Sequence, residues 1–242
     1  MKPITKTIIW LTIFSIAMGY LETSVVVYLR KIYYPDGFKF PLIPVSRDIA
    51  TTEFWREAAT IIMLIGAGVM SGKNSSQRFV FFLYSFAVWD IFYYVFLKAL
   101  LNWPNSLFTW DILFLIPVPW VGPVIAPCIV SLSMIILTMI IVYKQEKGIE
   151  TRIVFLEWML LIFGSITTII SFVWDYILYV SEYDAERGVW TLSSNKNMFD
   201  EVKNYVPQHF NWYLFWMGEG IILLAIFLIN KGRKEKYNHI ES

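Results

Sequence analysis

Seven carboxylates lie in or beside segments that are apolar enough to cross a membrane, and they are the residues best placed to do chemistry. They are Glu22, Glu53, Glu57, Asp90, Asp111, Asp175 and Glu219. A charge in the hydrocarbon core is costly unless it is paired, protonated or hydrated, so intramembrane acids mark functional sites by default. Such acids can exchange protons with a substrate or bind a hard divalent cation.

Glu53, Arg56 and Glu57 are spaced so that they share one face of a helix. The guanidinium group of Arg56 can neutralise one carboxylate through a bidentate contact, which leaves the other unbalanced. We therefore take all three as candidate catalytic residues, and Glu53, Glu57 and Asp90 as candidate metal ligands. A purely structural charge cluster at the mouth of the helix is the alternative.

Asp90 is a fourth catalytic candidate, and Tyr94 lies four residues later, where its phenol can hydrogen-bond the carboxylate. Trp89 precedes Asp90, and two further Trp-Asp pairs contain Asp111 and Asp175. We assign Trp89, Tyr94, Asp111 and Asp175 to substrate binding.

Glu219 stands between two glycines, which permit close approach of a backbone or a ligand, and is the last catalytic candidate. Glu22 and His209 complete the predicted substrate contacts. His209 precedes the last apolar segment and can overhang the site, although a lone histidine in a loop is more often simply solvated.

Six stretches are long enough to cross a hydrocarbon core about 30 Å thick. The predicted spans are 7–29, 48–71, 78–98, 121–143, 153–180 and 211–230. The sequence thus predicts an all-α polytopic membrane bundle over residues 1–242, as a single integral domain. Residues 1–19 also resemble a cleavable signal peptide, but the apolar pattern continues and completes a full span.

Composition agrees with this class of protein. Of 242 residues, 57% are hydrophobic and 18% aromatic, and the mean hydropathy is +0.55. The formal net charge of +1 indicates no nucleic-acid partner. One cysteine and two histidines predict neither a disulfide nor a haem or zinc site. A cation, if present, would be Mg²⁺, Ca²⁺ or Mn²⁺ held by oxygen. The sequence is compatible with either a monomer or an oligomer.

The distribution of basic residues predicts the orientation. With both termini in the cytoplasm, eleven Lys and Arg residues fall in short inner segments and eight in longer outer ones. At about 1.5 Å rise per residue, the acids within the spans then lie roughly 8–15 Å below the outer surface. We therefore expect one carboxylate-rich cavity that faces outward.

Two outer segments are irregular. Prolines at 117, 119, 123 and 127 cannot lie within a regular helix, so we predict a short broken or re-entrant helix near 106–116 before span four. Irregular backbone at membrane depth must be buried in protein or line a wet cavity. A helix lying on the membrane surface is the alternative. The polar loop 181–210 is predicted to cap the outer face.

Four segments carry a resemblance to known proteins: Glu22 with 25–30, the turn 34–38, the aromatic stretch 89–94, and 109–123. They resemble a family of small, uncharacterised bacterial inner-membrane proteins over roughly the first 130 residues. The resemblance implies a multi-pass protein of the bacterial inner membrane and no particular mechanism. A looser similarity to small membrane lycopene cyclases lacks their adjacent double glutamate, so no residue is transferred from them.

Three functions remain open. The first is an enzyme acting on a lipid-like or small substrate by acid–base or hard-metal chemistry. The second is a cation- or proton-coupled transporter, for which broken helices and intramembrane acids are typical. The third is a non-catalytic accessory subunit of a membrane complex. An inner half packed only with apolar side chains would favour the first over the second.

Overall fold

The computed structural model describes residues 3–43, 45–115, 118–149, 151–183 and 205–232. Within them the chain forms six long helices and one two-stranded sheet. The helices are α1 (Pro3–Tyr33), α2 (Arg47–Ser71), α3 (Ser75–Leu101), α4 (Ile125–Glu146), α5 (Phe155–Tyr183) and α6 (Trp212–Lys231). The strands are β1 (Trp110–Phe114) and β2 (Trp120–Pro123).

All six helices are long and apolar enough to cross a membrane. The prediction of a six-span polytopic helical bundle is therefore confirmed, and each predicted span falls on one helix. The predicted outer cap at 181–210 lies mostly outside the described residues.

Polar side chains in the loops fix where several helices begin. Ser46, Asn74 and Asn211 each accept a hydrogen bond from the backbone N–H three residues later, at the starts of α2, α3 and α6. Asn102 ends α3 with a left-handed backbone at φ 51°. These caps set the level at which α2 begins beside the ends of α1 and α3.

The short helix predicted near 106–116 is wrong. Residues of this segment form β1, which pairs antiparallel with β2 so that Asp111 lies opposite Gly122. The prolines prevent a continuous helix, and pairing two extended segments satisfies their backbone groups instead. For the same reason α4 begins at Ile125, after the hairpin, and not at 121.

Helix α3 is central, because α1, α2 and α4 all pack along it. Helices α5 and α6 form a second closely packed pair, which joins the rest through α4 and through β2. Helices α1 and α2 make little contact with each other. A cleft therefore opens between them, floored by α3 and closed at one end by the hairpin.

The other half of the bundle is packed mainly by apolar side chains, with hydrogen-bonded polar pairs such as Thr12–Tyr84 and Gln77–Gln145 among them. A cluster of buried residues joins the starts of α1, α3 and α5 to the ends of α2, α4 and α6, including Leu11, Phe81, Ile141, Leu161 and Ile226. This half corresponds to the predicted cytoplasmic side. The seven predicted carboxylates lie outside this cluster.

Candidate functional site

A cavity of about 270 Å³ lies between α1, α2, α3 and the hairpin. Most of its lining residues are apolar or aromatic. Five of the seven predicted carboxylates also line it: Glu22, Glu53, Glu57, Asp90 and Asp111. The candidates Arg56, Trp89 and Tyr94 line the same cavity. Residues from α1, α2, α3 and β1 thus line one cavity.

Arg56 ties two helices together across the cleft. Its Nε donates to Glu53 Oε2 at 2.8 Å within α2, and its Nη1 donates to Glu22 on α1. The i, i+3 spacing predicted the first contact, whereas the second depends on how α1 and α2 are placed around α3. One guanidinium group therefore engages two carboxylates.

Arg30 and Asp111 form a second ion pair, between the last turn of α1 and β1. Arg30 Nη2 donates to Asp111 Oδ1 at 2.9 Å, and the two side chains are only 9% and 2% exposed. The guanidinium carbon also lies 4.3 Å from the ring centre of Phe38 and 3.9 Å from that of Trp103. Burial raises the pKa of Asp111 above its usual value, and the charge of Arg30 opposes that rise.

Glu57 and Asp90 are different, because neither makes an ion pair with any of the described residues. Glu57 Oε2 accepts the backbone N–H of Leu115 at 3.0 Å, just after β1. Asp90 Oδ2 accepts the hydroxyl of Ser131 on α4 at 2.8 Å. Each carboxylate is therefore held through one oxygen atom by a neutral donor.

The predicted hydrogen bond from Tyr94 to Asp90 is wrong, because Ser131 takes that place. The Tyr94 hydroxyl lies near Asp111 and lowers the pKa of that carboxyl, although it makes no regular hydrogen bond with the described residues. The indole N–H of Trp89 has no partner among the described residues either. Both side chains are 6% exposed, so two polar atoms in the cavity wall are buried and unpaired.

Asp175 does not line the cavity; it fastens the chain that precedes α6. Its carboxylate accepts the Tyr205 hydroxyl at 2.8 Å and the backbone N–H groups of Gln208 and His209 at 3.2 and 3.1 Å. The His209 side chain is exposed and is not among the lining residues. Among the described residues these contacts give Asp175 a structural role, as an anchor between α5 and α6.

Glu219 is also outside the cavity, at the contact of α6 with α4. It is completely buried and accepts a hydrogen bond from Ser133, while its Oε2 has no partner among the described residues. The neighbouring Gly218 allows α6 to approach Thr168 of α5 closely. The flanking glycine thus serves helix packing at this point.

The predicted metal ligands Glu53, Glu57 and Asp90 line one cavity, but they do not form a coordination cluster. No group of three or more His, Cys, Asp or Glu side chains among the described residues is arranged to hold a metal ion. Glu53 is engaged by Arg56, and Asp90 by Ser131.

Arg30 and Ser131 belong to the site, yet neither was predicted from the sequence. Arg30 was counted only as one of the outer basic residues that set the topology. The aromatic residues of the following loop were a usable signal, since an arginine near them can stack on their rings. Ser131 lies in an apolar helix, where no local pattern indicates which side chain it will meet.

Fold and site together define a multi-pass helical membrane protein with a polar group of side chains at one end of its bundle. No protein-family model, curated protein or solved structure matches the chain.

Proposed function

We propose that the protein is a membrane enzyme that performs acid–base chemistry on an amphipathic, lipid-like substrate. The observation that carries this proposal is the presence of two carboxylates without an ion pair, Glu57 and Asp90, in the wall of one mainly apolar cavity. The basic residues favour a cavity that opens outward. The sequence resemblance favours the bacterial inner membrane.

The shape of the site supports a lipid-like substrate. Helices α1 and α2 both pack on α3 but scarcely on each other, and we expect the cleft between them to face the lipid. An alkyl chain can enter there without crossing water, and the apolar walls remove it from polar surroundings. The polar groups at the hairpin end then meet the head of the molecule.

The hydrogen bonds of the two carboxylates support proton transfer. Glu57 and Asp90 are each held through one oxygen, so the second oxygen is available to give or accept a proton. Arg56 holds Glu22 and Glu53 as fixed partners and leaves Glu57 outside its ion pairs. Glu57 and Asp90 are therefore the proposed acid and base, and Arg56 is a positioning residue.

The packing of the opposite half favours an enzyme over a transporter. Alternating access needs a polar path on both sides of the binding site. The half of the bundle away from the hairpin is occupied by the apolar cluster that includes Leu11, Phe81 and Ile226. An accessory subunit would leave the cavity and its unpaired acids without a use.

The test compares the lipid bound to the purified protein and to variants by native mass spectrometry. E57Q and D90N keep a hydrogen-bond acceptor but lose the acid, so we expect turnover to fall by about 10²–10⁴-fold and unreacted substrate to remain bound. Wild-type protein should carry or release a molecule of different mass. E157Q is the control and should behave as wild type, because Glu157 lies in the first turn of α5 and does not line the cavity.

A cavity-filling variant tests the binding site itself. Ala50 is 2% exposed and lines the cavity, so A50W should exclude the ligand while the thermal unfolding of the protein is followed in parallel. Identical ligand masses in wild type, E57Q and D90N would show binding without chemistry and overturn the proposal.

A further inference from the structure

The cavity has a charge imbalance that bears on its ligand. Both arginines that line it, Arg30 and Arg56, are already engaged by carboxylates, and Arg30 is also stacked between two rings. Glu57 and Asp90 remain without a cation among the described residues. Ionisation of the five lining carboxylates would thus leave a negative excess that a bound positive charge can compensate.

The wall offers further partners to a cation. Tyr94 and Trp89 are each more than nine-tenths buried and line the cavity, and each has a polar atom without a hydrogen-bond partner among the described residues. The Tyr94 oxygen can accept a hydrogen bond from an ammonium group. The Trp89 indole N–H is a donor, so it needs an acceptor elsewhere on the ligand.

We propose that the ligand is an amphiphile whose head is a protonated amine, with the ammonium group lying beside Asp90 and Tyr94 in the acidic part of the cavity. This inference rests on the proposed function, because it assumes that an amphiphile occupies the cavity. The ammonium N–H groups donate to Asp90, a carboxylate that pairs with no cation among the described residues. The alkyl chain lies along the cleft between α1 and α2.

The experiment compares four probes with the same ten-carbon chain on the full-length protein in lipid nanodiscs. They are decylammonium, decyltrimethylammonium, decanol and decyl sulfate, each measured by native mass spectrometry against empty nanodiscs. We expect decylammonium to bind about tenfold or more tightly than decanol, with decyltrimethylammonium between them. The double variant E57Q/D90N should lose this preference, and E157Q should keep it. If the double variant does not fold, D90N alone should reduce the preference.

The outcomes separate this inference from the proposed function. Equal binding of decylammonium and decanol, both blocked by A50W, would overturn the cationic head and leave the amphiphile cavity intact. If decyl sulfate binds most tightly, the cationic head is overturned too. That result would indicate that Arg30, whose Nη1 has no partner among the described residues, binds an anion. If no probe binds, the cavity does not take an amphiphile and both proposals fail.

Discussion

At the scale of single residues, the site depends on how two arginines are shared among five acids. Arg30 and Asp111 are almost completely buried, and a buried ion pair is costly to break because the remaining partner keeps an uncompensated charge. Arg56 is more exposed, at 22% of its side chain, so its ion pairs are better screened. We therefore expect loss of the Arg30–Asp111 ion pair to lower the stability of the fold more than loss of the Arg56 ion pairs.

We predict that R30M destabilises the protein by about 3–5 kcal/mol, because Asp111 is left buried without its cation. The double variant R30M/D111N should be less destabilised than the sum of the two single variants, since it removes both charges. Thermal unfolding in detergent measures these values, and R152M, at an exposed position, is the control. Additive effects of the two substitutions would contradict the coupling.

The sequence predicted contacts that lie within one helix better than contacts between elements. The pairing of Arg56 with Glu53 follows from helical spacing alone. The pairing of Arg30 with Asp111 joins residues 81 positions apart through a hairpin that the sequence did not reveal. Tyr94 has the helical spacing to reach Asp90, but the observed donor to Asp90 is Ser131, on another helix.

At the scale of helices, the spans were predictable from the sequence and the rotation of each helix was not. Glu219 and Asp175 lie in predicted spans, as most of the cavity acids do, yet neither side chain lines the cavity. A membrane helix is apolar on nearly all sides, so its pattern does not show which face meets its neighbours. The hairpin escaped prediction because its two short strands are stabilised by each other and carry little signal separately.

Helix packing gives a sharp test at Gly218 and Gly220, which are two residues apart in α6 and therefore lie on nearly opposite faces of the helix. A Cβ atom at Gly218 would lie 2.4 Å from Thr168 Oγ1 and 2.7 Å from the Thr168 backbone nitrogen, whereas Gly220 has no such atom within 4 Å. We predict that G218A forces α5 and α6 apart and destabilises the protein. G220A should be neutral or more stable by up to about 1 kcal/mol, through helix propensity. Equal unfolding temperatures for the two variants would rule out this close contact.

At the scale of the whole molecule, the two halves of the bundle differ in what they contain. The half away from the hairpin is filled by an apolar cluster, and the hairpin half holds the cavity and its charges. Each of the six helices takes part in the apolar cluster, so the end of the molecule opposite the site is closed by contacts among all of them. This division fits the proposed chemistry on a ligand that enters and leaves by the cleft between α1 and α2.

The basic residues predict which side of the membrane the cavity faces, and this prediction can be tested directly. With Cys128 replaced by alanine, D36C lies in the exposed loop between α1 and α2, on the cavity side, and K73C lies in the exposed loop between α2 and α3, at the opposite end. The excess of Lys and Arg at the K73C end predicts that this end is cytoplasmic. A membrane-impermeant maleimide should therefore label D36C in intact spheroplasts, and K73C only after the membrane is permeabilised. The reverse pattern would place the cavity on the cytoplasmic side, and its substrate would then have to come from the inner leaflet.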